Sequence, residues 1–327
     1  MENGLLRRLI GKPELGPLVL LIIEIIVFGI LNSDFLSPLN ISNILAFTVE
    51  LGLIALAMTL LMTSGEFDLS VGSTFGFSPV LLWMLYNGGV ASLWVSFIIA
   101  MVVAAVIGLF NGLFVTRLKI PSFLVTLGML LVVRGAALLM TSGFPQRTWQ
   151  AGGSWLARIL VGEFYVGDFR IYASLFWFLG AALLLGYVLT CTKVGNWIQA
   201  AGGNANAARA RGVNVDRTKV ALFMLCAMTS SFAGIISSIR TSAANPNSGT
   251  GYELEVIAMV VIGGTALTGG RGTILGTVLG VLILRVMRNG IIFIGVPGLA
   301  YNLFIGAIIL AMMALHSGLE RRHNAGA

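Results

Sequence analysis

The chain has 327 residues, of which 57% are hydrophobic and only 10% charged, and its mean hydropathy is +0.95. Soluble domains carry about 25% charged residues, so this composition excludes a soluble globule and points to an all-α polytopic membrane protein, read as a single transmembrane domain over residues 1–327. The net charge of +7 is not a nucleic-acid signature, because the basic residues fall in short clusters between apolar runs, which is how membrane proteins encode orientation.

Residues 1–15 form a basic tail with Arg7, Arg8 and Lys12, followed by the apolar run Gly16–Leu31. No small-residue cleavage site follows that run, so it reads as a retained first span. Ile44–Thr63 is the second span; the polar turn Gly65–Ser70 separates it from the third, Val71–Tyr86. Ala91–Val115 and Ser122–Thr141 flank the basic turn Arg117–Lys119. Residues 142–170 are the longest outer segment, with Trp149 and Trp155 suited to the headgroup level. Ile171–Thr190 is the sixth span, followed by the polar stretch 193–219 and then Val220–Ile239. An outer loop, 240–252, contains Asn245, Pro246 and Asn247. Glu253–Leu267 is short for a span, and the turn Thr268–Thr273 separates it from Ile274–Asn289. Leu299–His316 is the last apolar run. With roughly 20 residues per crossing this predicts about ten spans, the shorter ones steep or partly re-entrant.

The alternation places Arg117, Lys119, Lys193, Arg209, Arg211, Arg217, Lys219 and Arg271 on one side together with both tails, and only Arg147, Arg158, Arg170 and Arg240 on the other. The positive-inside rule then makes both termini cytoplasmic, 193–219 a cytoplasmic loop and 142–170 a periplasmic one.

Two segments resemble each other. Glu50–Gly72 (ELGLIALAMTLLMTSGEFDLSVG) and Glu253–Gly276 (ELEVIAMVVIGGTALTGGRGTILG) both begin Glu-Leu, break at a turn and resume toward a glycine. Both are expected to run the same way, as a parallel internal pseudo-repeat, and paired broken segments are a pointer to a transport pathway. Chance likeness between glycine-rich apolar helices is the alternative.

In the stretch 193–219, Asn204 or Asn206 is placed to cap a helix start, Ala205–Arg211 are mostly good helix formers, and Gly212 suits a left-handed helix end. A short helix on a loop between two spans is predicted. It is either a solvated basic loop or an element that docks a soluble partner.

Glu66 and Asp68 lie in the turn between two spans and point opposite ways, so they are not a catalytic pair; Asp68 and Ser70 are both suited to cap the next helix. Thr265 and Thr268, in the second broken segment, join Glu50, Glu66, Asp68 and Ser70 as candidates for a translocation path or gate. Glu24, Glu50 and Arg134 sit in apolar runs, where each costs up to about 3 kcal/mol at mid-bilayer, so each is expected to face the bundle interior or an interface, and structural pairing of Glu50 with Arg134 competes with a pathway role. Glu253 and Glu255 read as an outer rim or a contact for an outer partner.

The phosphate-loop pattern G-x-x-x-x-G-K-[ST] is absent, as are G-x-S-x-G and H-E-x-x-H. Cys191 and Cys226 have no metal or redox spacing, and His316 and His323 are the only histidines. The sequence carries no catalytic, cofactor or metal site.

Four motifs, in order, resemble one known family. Ser64–Ser73 (SGEFDLSVGS) is similar to the GGIDLSVGS hallmark of the ribose/xylose/arabinose-type permease subunits of bacterial ATP-binding-cassette sugar importers, with Glu66-Phe67 where that family usually has Gly-Ile. Leu118–Gly135, Gly195–Val215 and Val261–Gly280 resemble the next signatures. The resemblance implies an inner-membrane permease that translocates a monosaccharide. Its partners would be a second permease subunit (homo- or heterodimer), a periplasmic sugar-binding protein, the surrounding lipid, and a cytoplasmic ATPase that alone binds ATP-Mg. In that setting 193–219 becomes the coupling loop: Asn204 starts its helix, Ala207, Ala208 and Gly212 lie in the ATPase groove, and Arg209 at its rim. A nucleoside, a polyol or a sugar-like signal is an alternative cargo, and an ion-coupled secondary transporter is the alternative class.

Overall fold

The computed structural model describes residues 14–148 and 153–297, with isolated positions between 300 and 310. Its helices begin where short polar side chains stand. Leu15–Leu31 (α1) leads through a 3-10 turn at Ser33–Leu36 to Pro38–Thr63 (α2), which Ser37 caps and Pro38 opens. Val71–Asn87 (α3), Leu93–Arg117 (α4) and Ser122–Thr141 (α5) follow. A short helix, Trp155–Val161 (α6), precedes Ala173–Cys191 (α7). Lys193–Gly203 (α8), Ala205–Ala210 (α9) and Val215–Arg240 (α10) start at Thr192, Asn204 and Asn214, each of whose side chains accepts from the backbone three residues on. Tyr252–Ile262 (α11) and Ile274–Phe293 (α12), capped by Thr273, complete the described helices.

Among the described residues, six helices are long and apolar enough to cross a membrane: α2, α4, α5, α7, α10 and α12. Ten spans were expected. α1 and α3 have 17 residues each and α11 only 11. The expected basic tail and most of the run Leu299–His316 lie outside the described residues. The segment 142–170, expected as the longest outer segment, holds α6 and a hairpin of Glu163–Val166 (β2) and Phe169–Tyr172 (β3), turned at Gly167 with φ +59°. A second small sheet pairs Gln146–Arg147 (β1) with Ala243–Ala244 (β4), antiparallel. Ile171, expected to open the sixth span, belongs to β3.

α2 is the axis of the bundle: 89% of its span is buried, against 22%, 17% and 22% for α4, α5 and α7. Those three helices therefore offer apolar faces suited to lipid. In lipid, apolar area gives helices no reason to associate, so close packing and polar pairs hold them. A methyl carbon at Gly112 of α4 would lie 2.7 Å from Val220 Cα of α10, so α10 lies directly on α4. Asn40 of α2 and Asn289 of α12 exchange two 2.8 Å side-chain hydrogen bonds, and Trp83 Nε1 of α3 donates to Ser238 Oγ of α10 over 3.0 Å.

Candidate functional site

Three polar segments meet at one end of the bundle. The first is the turn after α2. Gly65 (φ +86°) reverses the chain, and Glu66 then accepts from Lys219 Nζ of α10 at 2.6 Å. Asp68 is fully buried, yet its carboxylate is well supplied. Oδ1 accepts the Ser70 N–H at 2.7 Å and the Ser70 hydroxyl at 2.6 Å, while Oδ2 accepts from Asn111 Nδ2 of α4 at 3.2 Å. Asn111 Nδ2 also reaches Ser70 Oγ at 3.0 Å. A short side chain that binds the backbone two residues on sets the entry to a helix, and Asp68 does this for α3. Its donors compensate a carboxylate that would otherwise be costly to bury.

The second segment is the turn between α11 and α12. Gly269 and Gly270 both have positive φ, at +84° and +82°. The Gly270 N–H donates to the Thr63 carbonyl at 2.8 Å, so the two broken segments turn back at the same end of the bundle. Thr265 is buried and its hydroxyl has no partner among the described residues; Thr268 is exposed.

The third segment is α8–α9. Gly202, at the end of α8, is wedged between the other two. A methyl carbon there would fall inside the contact radius of the Thr63 carbonyl oxygen and 2.6 Å from the Gly270 nitrogen. The whole of 193–219 was read as a loop with one helix; α8 is a second. The predicted helix stands at Ala205–Ala210, with Asn204 Oδ1 accepting from the Ala207 N–H at 3.0 Å and Gly212 at φ +84°. Arg209 bonds Asp216 at 2.7 Å. Asn204, Ala207, Arg209 and Gly212 are exposed. Ala208, expected to face outward, instead turns its methyl inward onto Ala201 and Val215 and is 4% exposed. The helical period puts Ala207 and Ala208 on different faces, and the inner face takes Ala208.

A second polar junction lies deeper, beside the middle of α10. Ser230, in mid-α10, donates its hydroxyl to the Val71 carbonyl at the start of α3. The loop before α11 reaches the same level: Arg134 of α5 donates to the Pro246 carbonyl, to Ser248 O at 2.8 Å and to Gly72 O at 3.1 Å. Phe75 of α3 and Tyr252 of α11 stack edge-on with centroids 5.1 Å apart. Two helices thus begin at one depth, bringing two partially positive helix ends together, with Glu253 beside them.

The other ionisable residues are also placed. Glu50 does not pair with Arg134. Its partner is Arg240, whose Nε donates to Oε1 at 3.1 Å and whose guanidinium lies 4.2 Å from the Phe47 ring centroid. Glu255 is not a rim residue: it is buried, accepts the Tyr301 hydroxyl at 2.6 Å and lies 3.2 Å from Arg285. Lys219, Asn111 and Gly202 were missed by sequence reasoning. The Gly202-Gly203 doublet was the one local signal; the other two are recognisable only through their partners.

The family profile described as "Branched-chain amino acid transport system / permease component" matches residues 40–313. Among curated proteins, the chain is 35% identical to the ribose import permease protein of Escherichia coli K12 over 303 residues, which is 92% of each chain. It is 36% identical to the Bacillus subtilis ribose import permease over 312 residues, 95% of this chain and 94% of that one. With the xylose/arabinose import permease of Sulfolobus acidocaldarius it shares 33% over 292 residues, 87% of this chain and 79% of that one. No solved structure matches.

Proposed function

The chain belongs to the family of branched-chain amino acid transport system permease components, and on that premise we propose that it is the membrane subunit of an ATP-driven importer for a pentose- or hexose-like monosaccharide. The relatives named for ribose and for xylose/arabinose support a sugar over an amino acid as cargo. The observation that carries the reading is the exposed α9, fixed at the point where both broken segments turn. A soluble ATPase bound there is placed to act on both turns at once. Asn204, Ala207, Arg209 and Gly212 form the docking face, with Ala208 supporting it from beneath. ATP-Mg belongs to that partner, and this chain binds no cofactor.

In this reading the protein sits in the bacterial inner membrane with α9 and both termini in the cytoplasm. The six long helices, α1, α3, α11 and the last apolar run together make up the ten segments expected from the sequence. A periplasmic binding protein delivers the sugar on the side of the β2–β3 hairpin, and a second permease copy or sister subunit completes the pore. Glu50, Glu66, Asp68, Ser70, Thr265 and Thr268 belong to the gate. Glu50, Glu66 and Asp68 are engaged in ion pairs or turn hydrogen bonds, which argues for gating and against the free carboxylates an ion-coupled carrier needs.

The test is uptake into vesicles holding the chain with its ATPase and binding protein. Labelled ribose or xylose is expected to accumulate, with no accumulation of leucine. Leucine uptake without sugar uptake would overturn the cargo.

A further inference from the structure

The segment 193–219 grips the α2–α3 turn at two points, one on each side of the exposed α9. On one side is the Gly202 backbone, seated against the Thr63 carbonyl. On the other is Lys219, whose Nζ lies 2.6 Å from Glu66 Oε1, with only 14% and 15% of the two side chains exposed. Arg209 of α9 pairs with Asp216, one turn before Lys219, so α9 is tied to the same end of α10.

Glu66 is in turn two residues from Asp68, which links Ser70 at the start of α3 to Asn111 of α4. Phe67, between them, meets Phe123 at the start of α5 edge-on, centroids 6.5 Å apart. The first turn of α3 is the platform on which Arg134 and the Pro246–Ser248 carbonyls gather. From α9 to the deep junction the links are thus the Ala208–Val215 contact and the surface Arg209–Asp216 pair, the first turn of α10, the shielded Lys219–Glu66 pair, the turn backbone from Glu66 to Asp68, and the Asp68–Ser70 hydrogen bonds. The Lys219–Glu66 link transmits force where a solvated surface pair would yield, because a shielded pair resists separation.

We infer that the Glu66–Lys219 ion pair is the strut through which movement of α9 reaches the N-terminus of α3, so that a motor docked on α9 drives rearrangement at the α3–α11 junction. This rests on the importer reading above. Glu66 and Lys219 act as positioning residues and touch neither nucleotide nor sugar.

The test uses the full complex in vesicles and measures sugar moved per ATP hydrolysed. Glu66→Gln and Lys219→Met are each expected to lower that ratio by about fivefold or more, the lower end of typical coupling between sites. The exchange Glu66→Lys with Lys219→Glu is expected to recover most of it, which a merely structural role of either side chain does not require. An unchanged ratio in the single variants, or an assembled exchange variant as poorly coupled as they are, overturns the strut. Where the single variants fail to assemble, the exchange variant decides by the same ratio. Failure of the importer reading looks different: the unaltered complex then moves no sugar on ATP.

Discussion

The peptide N–H of Gly270 donates to the carbonyl of Thr63 over 2.8 Å, joining two turns that lie more than two hundred positions apart in the chain. Gly202 fills the remaining side of this contact. The cytoplasmic loop of the proposed importer and its two broken segments therefore form a single backbone junction, and it tolerates no side chain at its centre.

Gly202→Ala is expected to destabilise this junction by about 1–3 kcal/mol, the usual cost of overpacking, because its methyl would meet the Thr63 carbonyl. Gly203→Ala, with open space at its methyl position, is expected to behave as wild type. Thermal unfolding in detergent compares the two; equal midpoints would remove the wedge.

Asp68→Ala leaves the Ser70 N–H and hydroxyl and the Asn111 amide without their shared acceptor. A loss of about 1–3 kcal/mol is expected, together with impaired transport. Asp34 is exposed, and Asp34→Ala is expected to stay within about 0.5 kcal/mol. Paired melting and uptake measurements decide whether the turn is more than a connector.

Glu50 and Arg240 form a shielded pair, so removing either partner alone is expected to cost about 3–5 kcal/mol. The double replacement Glu50→Leu with Arg240→Leu is expected to cost much less than the sum of the single changes. Strict additivity in a double-mutant cycle would mean the contact contributes nothing.

On α9, Ala207→Glu is expected to abolish capture of the ATPase in a pull-down while membrane insertion is unchanged, because Ala207 is exposed. Ala208→Glu is expected to unseat α9 itself, since it would place a charge against Ala201 and Val215. Proteolysis of the 193–219 segment separates these effects: only the Ala208 variant gains cleavage.

The features legible in the sequence are the locally encoded ones. Asn204 and Gly212 bracket α9 because a cap and a left-handed stop act on their own neighbours. Asp68 holds the turn before α3 through the Ser70 N–H, which is equally local, although neither Asp68 nor Ser70 caps the helix itself with its side chain. α8 was hidden because Gly195, Gly202 and Gly203 read as loop, whereas Thr192 caps it and Gly195 and Gly202 serve close approaches. The partner of Glu50 was misjudged because Arg134 and Arg240 both suit it by charge, and only the packing of α10 on α2 selects Arg240. Glu255 looked like a rim because its partners, Arg285 and Tyr301, come from later in the chain. Of the ten spans expected, six are long helices among the described residues, because hydropathy registers a short helix such as α11 as readily as a full crossing and most of the last apolar run lies outside those residues.

The most direct test is sugar uptake into vesicles containing this chain, with and without its ATPase, at fixed internal ATP and with the binding protein outside. The account predicts accumulation against a gradient only when the ATPase is present and hydrolysing ATP. Accumulation by the purified chain alone, driven by an ion gradient, would contradict it.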